Sequence, residues 1–187
     1  MVSHVARASF NRPSPVHVTL KVRQDVPNLR AGARFRVIRD AFKAARGRNG
    51  VRLAEFAVLG EHLHLIVEAD NSFRLSRGLQ GLCVRLSCAL NRILARRGRL
   101  FADRFHSRVL RTPTELVRAI RYVIDNARHH FGRPDASCSS RASGSLELLE
   151  APEGWLLRTG WTRAPLRDRI PPANAAFDLL AEFIALR

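Results

Sequence analysis

The strongest constraint on the fold is a short alternation at residues 16–23. Val16, Val18, Leu20 and Val22 take one side of an extended chain, and His17, Thr19, Lys21 and Arg23 take the other. Side chains of a strand alternate between faces, so this segment reads as a strand buried on one face and basic on the other. Two further extended runs, at residues 51–59 and 62–69, are separated by Gly60-Glu61. They form either a hairpin or one strand with a bulge. A Pro- and Gly-containing loop at 27–32 leads into a helix expected over 33–48, stopped by Gly47 and the Asn49-Gly50 pair.

Leu75, Leu79, Leu82, Leu86, Leu90 and Ile93 recur at helical spacing and predict a long amphipathic helix over 72–97, ended by Gly98. Another strand is expected at 105–111. Thr112-Pro113-Thr114-Glu115 then reads as a helix start, with Thr112 as N-cap, Pro113 as the first helical residue and Glu115 closing a capping box. That helix runs to about residue 130. The order strand, helix, strand, strand, helix, strand, helix predicts an α+β fold: a ferredoxin-like antiparallel sheet with helices on one face. The polar strand face, with His17, Lys21 and Arg23, is then left open. Residues 14–132 make up this domain and 133–187 an appendage. Within the appendage, 134–144 is a Ser-rich linker or surface loop. Residues 155–161, with Trp155 and Trp161, and the apolar stretch 175–186 either pack back or engage DNA; the two tryptophans fit core or interface packing, or stacking on unpaired bases.

Charge narrows the partner. The chain carries 32 basic and 16 acidic residues, a formal net charge of +16, and all but two of the basic residues are Arg. Such a surplus points to a polyanion, and Arg favours phosphate forks and stacking on bases. An apolar fraction of 46% suffices for a core. No run of about 18 apolar residues is present, so no helix is expected to cross a membrane. Residues 1–15 lack the apolar centre of a secretory signal. Cys83, Cys88 and Cys138 are odd in number and lack zinc spacing, and read as reduced thiols, two of them buried in a helix. The expected compartment is the cytoplasm.

Two local patterns carry chemistry. In a strand, His62 and His64 project from one face with Cβ atoms roughly 6–7 Å apart, close enough for both imidazoles to reach one divalent metal. Such a pair alone also fits an ordinary surface, and a complete site needs a third protein ligand and water. Tyr122 is the chain's one tyrosine. On a wheel of about 100° per residue, Leu116, Val117, Ile120, Val123, Ile124 and Ala127 form an apolar stripe, and Tyr122 falls almost opposite it, beside Asn126 and His129. An exposed tyrosine can stack a base. It can also attack phosphorus when a metal stabilises the charge that builds there. Asn126, one turn further on, offers an amide oxygen that could complete a metal shell.

Taken together, three segments resemble the single-tyrosine HUH transposases, especially the REP-associated tyrosine transposase branch. Val16-His17-Val18-Thr19 resembles the first strand of that family, and Glu61-His62-Leu63-His64-Leu65-Ile66 its His-hydrophobe-His motif. Arg104-Phe105-His106-Ser107-Arg108-Val109-Leu110 leading into Ala119-Ile120-Arg121-Tyr122-Val123-Ile124-Asp125-Asn126 resembles its last strand and catalytic helix. The resemblance spans residues 14–132. It implies an HUH nuclease fold in which Tyr122 attacks a phosphate of single-stranded DNA, leaving a 5′-phosphotyrosine and a free 3′-hydroxyl. Mg²⁺ or Mn²⁺ would sit on His62, His64 and Asn126, and the DNA would carry a hairpin or palindromic repeat, recognised together with its flanking single strand. The chain departs from the family in having Gly60-Glu61 where Pro-Asn is usual, and Ala127 where Pro often follows the helix Asn. Glu61 thereby adds a carboxylate near the site, and His106 stands where an aromatic is frequent. Lys21, Arg23, Arg104, Arg108, Arg111 and Arg121 are the basic side chains expected to contact DNA. A monomer acting in cis and a homodimer exchanging tyrosines both remain open. So do two other functions: a non-catalytic DNA- or RNA-hairpin-binding module, and a phosphoesterase with a water nucleophile that would leave Tyr122 unexplained.

Overall fold

The computed structural model describes residues 9–131, 146–169 and 172, without the side chains of 126–131 and 146. The alternating segment forms β1 (Ser14–Lys21), followed by α1 (Gly32–Ala45), β2 (Val51–Val58), β3 (His62–Ala69), α2 (Ser72–Ile93), β4 (His106–Val109) and α3 (Pro113–Phe131). The strands join in the order β2-β3-β1-β4, and each neighbouring pair is antiparallel. α1 carries the chain from β1 over β3 to β2, and α2 carries it from β3 over β1 to β4. This is the expected ferredoxin-like α+β arrangement, and Gly60-Glu61 lies in a hairpin connection, although β2 also shifts register between Leu53 and Glu55.

The apolar side of the alternation makes the main core. Val16, Val18, Leu20, Leu63 and Leu65 are essentially inaccessible and face Ile38 and Phe42 of α1 and the stripe Leu75, Leu79, Leu82, Leu86 and Leu90 of α2. Phe42 and Phe56 meet edge to face, with ring centroids 5.1 Å apart, a geometry that favours aromatic pairs. α1 and α2 thus cover one face together. α3 lies on the other face, where Leu116, Ile120 and Val123 pack on Ala54, Ala57 and Ile66. Two alanines on β2 let this helix approach the sheet closely, so the polar face is open only in part.

Helix ends follow local chemistry. At α3 the Glu115 amide donates to Thr112 Oγ1 (3.2 Å), and the Thr112 amide donates to Glu115 Oε2 (3.3 Å), which is the reciprocal capping box. α2 stops at Ile93, short of Gly98, because Ala95 already turns into the left-handed region at φ 50°. α1 likewise ends before Gly47, whose φ is 67°. Of the two helical cysteines expected to be buried, Cys83 is half-buried, with burial pushing its thiol up to about 11. Cys88 is exposed because it falls off the Leu82–Leu86–Leu90 stripe. Cys138, the stretch 175–186 and the loop 134–144 lie outside the described residues.

Residues 146–169 pack back onto the domain through 3-10 turns at Leu146–Leu148, Gly160–Arg163 and Leu166–Asp168 and a short helix, α4 (Trp155–Arg158). Leu148 and Leu149 enter the main core, while Leu156 and Leu157 join the cluster under α3. The join is polar as well. The fully buried carboxylate of Glu68 accepts from the amides of Glu153 and Gly154, each at 2.7 Å, and from Arg52 Nε at 2.9 Å. A buried charge with this many donors is compensated, which is the condition for tolerating it inside a protein.

Candidate functional site

Register decides which polar side chains meet. In an antiparallel pair, residues directly opposite share a face and diagonal neighbours remain within reach of large side chains. Thr19 stands opposite His64, Lys21 opposite His62, and His17 opposite Ile66 on one side and Arg108 on the other. The result is a row of imidazoles. His62 and His64 stack with centroids 6.1 Å apart and planes 22° apart, and His64 and His17 stack at 5.6 Å and 25°.

α3 brings Tyr122 over this row. With Leu116, Val117, Ile120 and Val123 buried, the phenol projects from the flank of the helix and 51% of the residue is exposed. Its ring meets His64 at 5.3 Å and His17 at 5.7 Å, edge-on to both. The helix is fixed from outside too: Arg121 reaches Asp168 Oδ1 (3.4 Å) and the Arg167 carbonyl (3.1 Å).

His64 is nearly buried, and its Nδ1 lies 3.3 Å from Thr19 Oγ1. A hydrogen bond at one ring nitrogen fixes the orientation of an imidazole. His62 Nδ1 is 3.6 Å from Glu61 Oε1, and the other carboxylate oxygen of Glu61 is 3.9 Å from Lys21 Nζ. Glu61 therefore does sit at the rim of the site, between a histidine and a cation. Burial, and then the charge of Arg108, hold the His17 pKa below the usual histidine value. Among the described residues, its buried Nε2 has no hydrogen-bond partner.

Of the expected site residues, Tyr122, His62 and His64 come together, with Lys21 and Arg108 at the edges. Arg108 is exposed and pairs with Glu115 at 2.8 Å. Three contacts hold the Glu115 carboxyl below its usual range: first the Arg111 amide, then the Arg108 guanidinium and the Thr112 amide. Arg23 lies past the end of β1, paired with Asp25 at 3.1 Å. Arg104 borders a cavity with Leu20, Gln80 and Val84, on the α2 side of the sheet and away from Tyr122. Arg111 lies past the end of β4, beside a second cavity. Arg121 is engaged by the C-terminal segment. The Asn126 backbone continues α3, but its side chain lies outside the described residues.

His17 was legible as part of a basic face but not as a member of the site. It is 47 residues from His64 in sequence, and only the β1–β3 register joins them. As a donor set, two imidazoles alternating on one strand suit a divalent metal, with an amide or carboxylate oxygen and water completing the shell. Among the described residues, no three His, Cys, Asp or Glu side chains gather as a metal cluster. A third protein donor would then come from outside that group.

No family model matches the chain, and no curated protein sequence is significantly similar to it. Among solved structures it is similar to a REP-associated tyrosine transposase bound to a REP hairpin. The two share 15% identity and a TM-score of 0.59 over 81% of this chain and 93% of that one. A Deinococcus radiodurans R1 protein assigned as a transposase aligns at 13% identity and a TM-score of 0.45, over 67% of this chain and 96% of that one. The likeness establishes a shared α+β fold with the first of these.

Proposed function

We propose that the protein is a metal-dependent single-strand DNA nickase and strand transferase of the transposase type, with Tyr122 as nucleophile. The observation that carries this reading is the placement of the chain's one tyrosine edge-on to two histidines of the sheet, off the buried stripe of its own helix. A tyrosine serving only to pack would be expected to turn into the stripe.

In the reaction, Tyr122 Oη attacks a backbone phosphorus. The O–P bond to tyrosine forms, the P–O3′ bond breaks, and the 3′-oxygen leaves as a hydroxyl after taking up a proton. The phenolic proton is lost, and the phosphate stays on the tyrosine at the DNA 5′ end. Attack by another 3′-hydroxyl reverses the step and rejoins DNA without nucleotide hydrolysis. Mg²⁺ or Mn²⁺ bound by His62 and His64, with Asn126 as a third protein donor, would polarise the scissile phosphoryl group. Thr19 orients His64, and the buried stripe of α3 with the Arg121–Asp168 contact sets the angle of the phenol. Lys21 and Arg108 flank the row and would hold phosphates on either side, whereas Arg23 and Arg111 would guide DNA further out; Arg104, on the α2 side, lies away from that path. The contact of Tyr122 with His64, itself stacked on His62, within one chain supports a monomer acting in cis without a tyrosine from a partner.

The substrate class is single-stranded DNA bearing a hairpin or palindromic repeat, the kind of ligand named for the similar structure. Incubation with such DNA and Mn²⁺, followed by a denaturing gel, tests the reading. A protein–DNA adduct is expected. Intact hairpin binding with no adduct for any hairpin or metal would instead make the protein a non-catalytic binding module.

A further inference from the structure

On the Tyr122 side of the sheet, where β1 begins and β4 ends, lies a cavity of about 820 Å³ lined by Arg12, Pro15, Arg111, Glu153, Trp155 and Leu156, among others. Its walls are held by fixed contacts. At one side the Phe10 amide donates to Ser72 Oγ (2.7 Å), and that hydroxyl donates back to the Phe10 carbonyl (3.0 Å). At the other, the Glu68 carboxylate grips the amides of Glu153 and Gly154. The acidic side chain of the wall, Glu153, is paired with Arg52 Nη1 at 3.2 Å, so the remaining charge of the wall is that of its arginines.

Trp155 is anchored yet open. Leu156 and Leu157 are buried behind it, while 51% of Trp155 itself faces solvent. Its ring lies so close to Gly160 that a Cβ there would come within 2.7 Å, and the Arg163 guanidinium sits 5.2 Å from the ring centroid. Trp161 differs: it is half-buried against the cluster under α3, and its indole N–H points at the Arg158 carbonyl (3.3 Å). A single exposed aromatic needs no explanation. An immobilised one beside a roomy cavity and three arginines is what a base-stacking platform requires.

Position along β1 fixes the relation to the tyrosine site. Pro15 lies two residues from His17 and four from Thr19, which stands opposite His64. At ~3.3 Å per residue, the cavity is roughly 7–13 Å from the imidazole row. A DNA strand covers that distance in about two to four nucleotides at its ~3.4 Å stacked rise.

We infer that this cavity is a subsite for an unpaired base of the DNA strand crossing the Tyr122 site, stacked on Trp155 with adjoining phosphates on Arg12, Arg111 and Arg163. The inference rests on the single-strand DNA reading and assigns a position within it. Stacking tolerates any base, so the subsite raises affinity for a single-stranded flank more than it selects sequence.

The test titrates the full chain with a hairpin carrying a single-stranded flank, placed on either side of the stem in separate arms, and with the same stem lacking a flank. The chain has two tryptophans, so the signal of Trp155 is the difference between the parent and Trp155→Phe. Flanked DNA is expected to quench that signal. Trp155→Ala should weaken binding of the flanked hairpin about 5- to 100-fold, as expected for loss of one stacked base. Trp155→Phe should recover most of the loss, and the flankless hairpin should bind all three proteins alike. Equal binding of the flanked hairpin by the parent and Trp155→Ala, or an equal loss for both hairpins, overturns the subsite. A Tyr122-dependent adduct without Trp155 quenching would remove the subsite and leave the nuclease reading standing. Quenching by flanked DNA with no adduct would do the reverse.

Discussion

The ring of Tyr122 stands edge-on to that of His64, with 5.3 Å between centroids and 86° between planes, inside one chain. The two residues come from distant elements, the middle of α3 and the central strand β3. Their meeting depends on a thin layer of alanines, Ala54 and Ala57, beneath α3. Larger side chains there would lift the helix and separate phenol from imidazole.

On the proposed mechanism, His64→Ala should abolish DNA cleavage while lowering hairpin affinity by much less, since it would remove a metal donor and leave the flanking cations in place. Paired gel-shift and cleavage assays with Mn²⁺ check this, and chelation of the metal should reproduce the loss in the parent protein. Unchanged cleavage by the variant would remove His64 from the metal site.

Removing the buried anchor of the C-terminal segment should be costly. Glu68→Ala leaves two backbone amides without their acceptor, while Arg52 keeps Asp70 and Glu153 as partners, and each buried donor left unsatisfied costs about 1–3 kcal/mol. Gly154→Ala should act in the same direction, because a Cβ there would come within 2.5 Å of Glu68 Oε1. Urea unfolding gives the stability, and hydrogen exchange at residues 153–154 shows whether the segment is released.

The pH dependence of stability should carry the signature of His17. Its neighbours are His64, Tyr122 and Arg108, and burial followed by Arg108 depresses its native pKa from 6.5. The unfolded chain therefore binds the proton first as the pH falls. The stabilisation is full above the unfolded value, is lost progressively below it, and levels off once the pH has passed the lower native value. In metal-free urea titrations, His17→Gln should flatten the decline on the acid side of about pH 6.5. An unchanged slope would mean that His17 is protonated alike in both states.

At the start of the tyrosine helix, Thr112→Ala should cost about 1 kcal/mol by removing the hydroxyl that accepts from the Glu115 amide. Thermal unfolding measures the loss, and Thr112→Ser should restore most of it.

Much of this architecture could be read from local pattern. The alternation in β1, the leucine stripe of α2 and the Thr112–Glu115 cap each state their structure within a few residues, and His62, His64 and Tyr122 could be singled out by face alone. What local pattern could not supply was anything set by long-range pairing. His17 joins the row only through the β1–β3 register. The Arg52–Glu68 clamp links a buried strand carboxylate to amides 85 and 86 residues later. Residues 146–169 carry no periodicity because they fold as short turns over surfaces made by other elements, so their role in bracing Arg121 and α3 emerged only in three dimensions. Among the basic residues, composition indicated the partner but could not separate Arg108, beside the site, from Arg104, on the α2 side.

In the proposed reaction, Tyr122 Oη forms the covalent bond to DNA. The most direct measurement of that bond is mass spectrometry of the protein after reaction with hairpin-bearing single-stranded DNA and Mn²⁺, comparing the parent with Tyr122→Phe. The predicted result is a nucleotide adduct on the peptide containing Tyr122 in the parent, and none in the variant, which still binds the hairpin. An adduct of equal yield in Tyr122→Phe, or one mapped to another residue, would show that Tyr122 is not the nucleophile.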